Sequence, residues 1–258
     1  GMSALAQYLN AIGKTVSGSD RYFNSNDADE IRLKLEAENI KCYKQNEVVL
    51  DGNTHLIVAS AAIEDTVPEM QQAKALQIPV LKRSELLSMI ADSKRTIAVA
   101  GTSGKSTTSA MLFHILEIAN YNPGIISGAG LVSLIKQHKI GNAKAGSGEW
   151  LVIEADESDG SIVEYHPEIG LLLNIDKDHQ EIAELLELFS TFRKNTKDIF
   201  IVNRSNALAK SLSKNIDNDF AEEDVAGFVA TDFKQNGLSI QFKINGTDFN
   251  LEQLGRHN

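Results

Sequence analysis

The sequence contains one cysteine, Cys42, in 258 residues. An intrachain disulfide is therefore excluded, and the chain suits a reducing compartment. It has no apolar run of membrane-spanning length and no basic-plus-apolar leader. We therefore expect neither a membrane association nor a signal, and a cytoplasmic protein. Basic residues are also short: 25 Lys and Arg face 35 Asp and Glu, for a net charge of -10. That balance argues against non-specific nucleic-acid binding, whereas a nucleotide site needs positive charge only locally. Internal repeats and low-complexity tracts are lacking as well. What is present, 42% hydrophobic and 23% charged residues, belongs to a folded globular protein. The length allows two ordinary domains.

Strand-like and helix-like segments alternate along the first nine-tenths of the chain. Met2–Ile12 carries a helical apolar stripe. Lys14–Ser17 reads as a strand, and Asp27–Glu38 as a helix with Ile31, Leu33 and Leu35 toward its buried side. Lys41–Tyr43 and His55–Ala59 read as strands. Pro68–Leu76 is a helix with proline in its first turn. Ile78–Leu81 is a strand, followed by a helix that Ser84 caps. This order predicts α/β architecture with doubly wound parallel sheets. The polar stretch 91–95 is the best boundary, giving domains 1–92 and 93–258. Lys136–Gly148 reads as a surface loop. After Asp224, short alternating segments predict a small β-rich extension.

The second domain opens on TIAVAGTSGKSTT, residues 96–108. Ile97–Gly101 reads as a buried strand running into a glycine turn, and Lys105-Ser106-Thr107-Thr108 opens a helix. Strand, glycine loop and helix together form a phosphate cradle. Gly101 and Gly104 let backbone N–H groups of Thr102 and Ser103 turn toward phosphate oxygens. Lys105 is placed to reach the terminal phosphates, and the Ser106 hydroxyl to complete a Mg²⁺ shell. Two later strands end in acids: Trp150–Ile153 leads into Glu154-Ala155-Asp156-Glu157-Ser158-Asp159, and Ile169–Leu173 leads into Asn174-Ile175-Asp176-Lys177-Asp178-His179. Taken alone, the first cluster could be a solvated turn, and Asp178 with His179 a helix cap. Ligands of parallel sheets sit at the carboxyl ends of strands, which makes one ATP·Mg²⁺ site of all three tips.

These strings resemble the Mur ligase family, the ATP-dependent amide-bond ligases of peptidoglycan precursor synthesis. The loop Gly101–Thr108 has that family's G-T-x-G-K-[ST]-T-T form. EADESD at 154–159, NIDKDH at 174–179, Ser17-Gly18-Ser19-Asp20, Ser60–Ile63 and the closing Leu254–Asn258 are most similar to the alanine-adding members. The resemblance implies a Rossmann-like domain for the UDP sugar and a phosphate-loop ATPase domain. It implies UDP-N-acetylmuramate and L-alanine as substrates, and ATP and Mg²⁺ as co-reactants. It implies Lys105, Glu154 and His179 as catalytic residues, with Ser106, Glu154 and His179 holding metal. ATP would lie against Gly101 to Thr107, with His257 and Asn258 near adenine. Ser3, Ser19, Asp20, Gly128 and Gly130 would face the UDP sugar.

Four features depart from that pattern. The family's opening strand with its G-x-G-G-x-G loop is represented only by Gly1-Met2-Ser3, which predicts a first sheet without a central strand and an exposed pairing edge. Its third domain has no counterpart in these residues, so we expect the chain alone to bind ATP weakly without turnover. Ser103 replaces a histidine, and Gln180-Glu181 a Leu-Asp-like pair. These two substitutions leave open another acceptor, a tripeptide joined to the muramate or a glutamate joined to a folate; a nucleotide-binding protein without catalysis is a separate alternative.

Overall fold

A computed structural model describes residues 1–24, 29–45, 47–60, 62–177, 180–222 and 224–252. The elements follow the expected alternation: α1 (Met2–Ala11), β1 (Ser17–Asp20), α2 (Asp29–Ala37), β2 (Lys41–Lys44), β3 (Ile57–Ala59), α3 (Pro68–Ala75), β4 (Val80–Lys82) and α4 (Arg83–Asp92). Next come β5 (Arg95–Ala100), α5 (Lys105–Ile118), β6 (Gly124–Ile126), α6 (Val132–Ile135), β7 (Ala143–Lys144) and β8 (Trp150–Glu154). The chain continues through β9 (Ile169–Leu172), α7 (Ile182–Asn195), β10 (Ile199–Val202), α8 (Ala207–Ser211), β11 (Phe220–Glu222), β12 (Phe228–Asn236), β13 (Ser239–Ile244) and β14 (Thr247–Leu251). No helix among the described residues is long and apolar enough to cross a membrane.

The central sheet has six strands in the order β10-β9-β5-β8-β6-β7. The pairs β10–β9, β9–β5 and β8–β6 are parallel, and β6–β7 is antiparallel. Strands β5 and β8 read as unbroken apolar runs because both faces are covered. Ala98, Val99, Ala100, Leu151, Val152 and Ile153 are all fully buried. Two compact units divide the chain, residues 1–96 with 106–154 and residues 97–105 with 155–258.

In the first unit, Phe113 of α5 packs with Ile125, Leu131, Leu134 and Val152. Its amino-terminal part holds two parallel strand pairs, β1 with β2 and β3 with β4. The sequence predicts a doubly wound sheet here. Among the described residues the two pairs form separate two-stranded sheets. In the second unit, α7 buries Leu185, Phe189 and Phe192, and Phe192 meets Phe200 of β10 edge-on. The expected β-rich extension is the sheet β11-β12-β13-β14.

Several local expectations are corrected. The first strand is Ser17–Asp20 rather than Lys14–Ser17. Ile31 and Leu33 are exposed, and of that stripe only Leu35 is buried, against Ile40 and Cys42. Ser84 does not cap α4. It lies inside the helix, and the Glu85 carboxylate instead accepts from the Lys82 N–H at 2.6 Å. The segment 136–148 is not merely a surface loop: it contributes β7, and Asn142 and Ala143 are buried. Its glycines serve close approach. A Cβ on Gly146 would come within 2.1 Å of the Asn122 carbonyl oxygen, and one on Gly148 within 1.9 Å of that of Tyr121. Of the helix expected over Asp27–Glu38, the described part is Asp29–Ala37; Asp27 lies outside the described residues.

Candidate active site

The second unit supplies the loop. Strand β5 ends in Gly101, whose φ of 138° lies where side chains are disfavoured. A Cβ there would approach the Asn174 backbone N at 3.1 Å and its O at 3.2 Å. Gly104 also has positive φ, 84°. Asn174, at the tip of β9, clamps the loop. Its Oδ1 accepts from Thr102 Oγ1 at 2.8 Å and from the Ser103 N–H at 2.9 Å, and its Nδ2 donates to the Ser103 carbonyl at 3.1 Å. Thr102 Oγ1 in turn accepts from the Asp176 N–H at 3.1 Å.

Lys105 folds back over this loop. Its ammonium donates to the Gly101 carbonyl at 2.7 Å and to the two carboxylate oxygens of Glu157 at 2.8 and 3.1 Å. Glu157 is 4% exposed. A buried carboxylate needs such a partner, because desolvation without one is expensive.

The first unit supplies the second constellation, which begins at the next residue. Ser106 Oγ donates to Glu154 Oε2 at 3.0 Å. Glu154 Oε1 accepts from Ser127 Oγ at 2.5 Å and from the Gly128 N–H at 2.9 Å. A Cβ on Gly128 would stand 3.3 Å from Glu154 Oε2, so the glycine keeps the carboxylate's flank open. Ser106 and Glu154 offer hard oxygen donors of the kind Mg²⁺ takes from proteins, usually one or two beside waters and phosphates. Among the described residues, no three His, Cys, Asp or Glu side chains form a metal cage.

The remaining sequence-predicted residues are dispersed. Thr107 is exposed in the first turn of α5. Gly130 packs within its own segment: a Cβ there would meet Ile135 Cδ1 and the Ile140 carbonyl oxygen, each at 2.9 Å. Ser3 Oγ accepts from Asn142 Nδ2 at 3.1 Å. Ser19 Oγ donates to Glu69 at 3.3 Å, and Asp20 accepts from the Tyr22 N–H at 2.9 Å. Asp156 accepts from the Ser158 N–H in a tight turn. Asp178, His179, His257 and Asn258 lie outside the described residues. Sequence reading missed Glu157, Asn174 and Ser127 as parts of the site. Each was visible: Glu157 as the second glutamate of EADESD, Asn174 as the polar residue ending a buried strand, and Ser127 before the second glycine turn.

A parallel strand, a glycine turn and a helix opening on Lys-Ser-Thr-Thr define the phosphate-loop class of α/β protein. Within that class, residues 1–95 match the model described as Mur ligase family, catalytic domain, and residues 99–258 the Mur ligase middle domain. The chain belongs to the Mur ligase family. It is 44% identical over 197 residues to the UDP-N-acetylmuramate–L-alanine ligase of Bdellovibrio bacteriovorus, covering 76% of this chain and 40% of that protein. It is 35% identical to the same-named ligase of Dictyoglomus turgidum, covering 99% of this chain and 54% of that protein. It thus spans about half the length of these curated relatives. Its fold is similar to that of the UDP-N-acetylmuramate–alanine ligase of Thermotoga maritima, with a TM-score of 0.82 at 23% identity, covering 99% of this chain and 59% of that one. It is also similar to a murein peptide ligase of Psychrobacter arcticus, with a TM-score of 0.80 at 21% identity and coverage of 99% and 60%.

Proposed function

We propose that these residues form the UDP-sugar and ATP-binding parts, 1–92 and 93–258, of a cytoplasmic ligase that joins L-alanine to UDP-N-acetylmuramate. The observation that carries this reading is the glycine loop whose lysine is seated on the buried Glu157, with the next residue, Ser106, bonded to Glu154 at the end of β8. The reaction must bring a carboxylate and a triphosphate together although they repel. The muramate lactyl carboxylate attacks the γ-phosphorus of ATP and ADP leaves. The α-amine of alanine then attacks the acyl phosphate, and phosphate departs. Lys105 and the loop N–H groups offset the negative charge and align the γ-phosphate. Ser106 and Glu154, with His179 as the sequence suggests, would hold Mg²⁺, which when bound neutralises phosphate charge. Ser3, Ser19, Asp20, Gly128 and Gly130 remain the residues we assign to the UDP sugar, and His257 and Asn258 those near adenine.

The alanine acceptor is supported by relatives named as UDP-N-acetylmuramate–L-alanine ligases, one of them 44% identical. The test has two parts. Replacing Lys105 with alanine should abolish calorimetrically detected ATP·Mg²⁺ binding to the chain; unchanged affinity would make the loop structural and overturn the reading. Phosphate release by the full-length gene product, assayed with UDP-N-acetylmuramate and ATP, should then require L-alanine. Release with a tripeptide instead, or with glutamate and a folate, would move the chain to another branch of the family.

A further inference from the structure

The seat of Lys105 carries a consequence for how nucleotide enters. A lysine ammonium has three N–H donors. Here all three are taken, one by the Gly101 carbonyl and two by the Glu157 carboxylate, at 2.7 to 3.1 Å. The pair is sheltered, with side-chain exposures of 16% for Lys105 and 6% for Glu157. The main chain of Glu157 is held as well: its carbonyl accepts from Gln180 Nε2 at 3.3 Å. The carboxylate is held beside the loop by Lys105 itself, and the ammonium has no donor to spare.

We propose that Glu157 is a positioning residue that occupies the lysine whenever the loop is empty, so that nucleotide must displace a carboxylate and binds tightly only as its divalent-cation complex. A bare triphosphate that takes Lys105 leaves Glu157 buried, ionised and facing added negative charge. A divalent cation on the phosphates cancels much of that charge and offers its hydration shell to the released carboxylate. Glu157 thereby sets how strongly nucleotide affinity depends on the cation. This inference rests on the proposal that ATP binds at this loop.

The test is a calorimetric titration of the 258-residue chain with ATP, once in EDTA and once in excess Mg²⁺. Glu157→Gln keeps the shape and removes the charge. The variant should bind Mg²⁺-free ATP about tenfold more tightly than the parent, equivalent to roughly 1.4 kcal/mol. Its affinity for ATP·Mg²⁺ should change less than about threefold, so the ratio of the two affinities shrinks. Asp159→Asn removes a nearby charge that does not touch Lys105, and should leave the ratio within about twofold. Should Glu157→Gln fail to fold by circular dichroism, Glu157→Asp, whose carboxylate sits one methylene further back, should shift the ratio the same way by a smaller factor. An unchanged ratio in the folded glutamine or aspartate variant would overturn the inference, as would an equal shift in Asp159→Asn. Lys105→Ala separates the two claims. If it leaves ATP·Mg²⁺ affinity intact, the site reading has failed. If it abolishes binding while Glu157→Gln changes nothing, only the role of Glu157 has.

Discussion

At the scale of single residues, the loop depends on positions where a side chain cannot be tolerated and on charges that cannot be left alone. Gly101 combines positive φ with backbone atoms of Asn174 about one contact distance away. Gly101→Ala should therefore lower stability by roughly 1–3 kcal/mol, visible as a lower urea midpoint, and should weaken ATP·Mg²⁺ binding as the Asn174 clamp shifts. Cys42 illustrates a different constraint. Burial pushes its thiol up, the nearby Glu36 adds to the shift, and Arg32 opposes it. A raised thiol favours the neutral form, so the folded chain gains stability below the ordinary thiol value of about 8.5. That contribution disappears as pH rises through that value toward the folded one. The denaturation midpoint should fall more steeply between pH 8 and pH 9.5 for the parent than for Cys42→Ala. Alkylation at pH 8.5 should be at least about tenfold slower in the native chain than in urea. Equal alkylation rates would place the thiol at the surface.

At the scale of elements, the link between β10 and the carboxyl-terminal sheet turns on Asp219. This carboxylate is fully buried. It accepts from the Val202 N–H at the end of β10 at 3.0 Å and from Ser213 Oγ at 2.5 Å, and lies 3.6 Å from the Arg204 guanidinium. Arg204 also donates to the Val225 carbonyl at 2.6 Å. Asp219→Ala would strand an N–H and a largely buried guanidinium, and should cost about 3 kcal/mol in urea unfolding. A loss below 1 kcal/mol would mean water replaces the carboxylate. This linkage was illegible in the sequence: Asp219 sits in a run of Asn and Asp that reads as a solvated turn, and only tertiary contact makes it a keystone. The phosphate loop was legible because its function demands local chemistry, glycine where φ is positive and lysine where the helix starts. Strands β5, β8, β9 and β10 were legible because covered parallel strands are continuous apolar runs. The short strand β7 and the glycines after it were not, since glycines that admit a neighbouring backbone look like those of a flexible loop. Ile31 and Leu33 misled for the opposite reason: being apolar they were placed toward the core, but residues two apart cannot share one helix face, and the packing against Ile40 and Cys42 reaches only Leu35.

At the scale of the whole molecule, burial and hydrogen bonding are unevenly shared, and that predicts a gradient of opening. Strands β5 and β8 are buried along almost their entire length, while every residue of β1 is exposed. The pairs β1–β2 and β3–β4 are two-stranded sheets, and small sheets of this kind draw little stability from their own ladder. Each is held mainly by what packs on it, such as the cluster of Leu35, Ile40 and Cys42. Local opening follows the density of such contacts. Amides of 17–20, 41–44, 57–59 and 80–82 should therefore exchange with deuterium well before those of 95–100, 150–154 and 169–172. Saturating ATP·Mg²⁺ should slow exchange in the loop 101–106 and at the tips of β8 and β9, because a ligand that binds only the closed form stabilises it by mass action. The amino-terminal strand pairs should respond instead to UDP-N-acetylmuramate, if Ser19 and Asp20 face the nucleotide sugar as proposed. Protection of 17–20 by ATP·Mg²⁺ alone, with the loop unchanged, would reverse the assignment of the two ligands to the two parts of the chain.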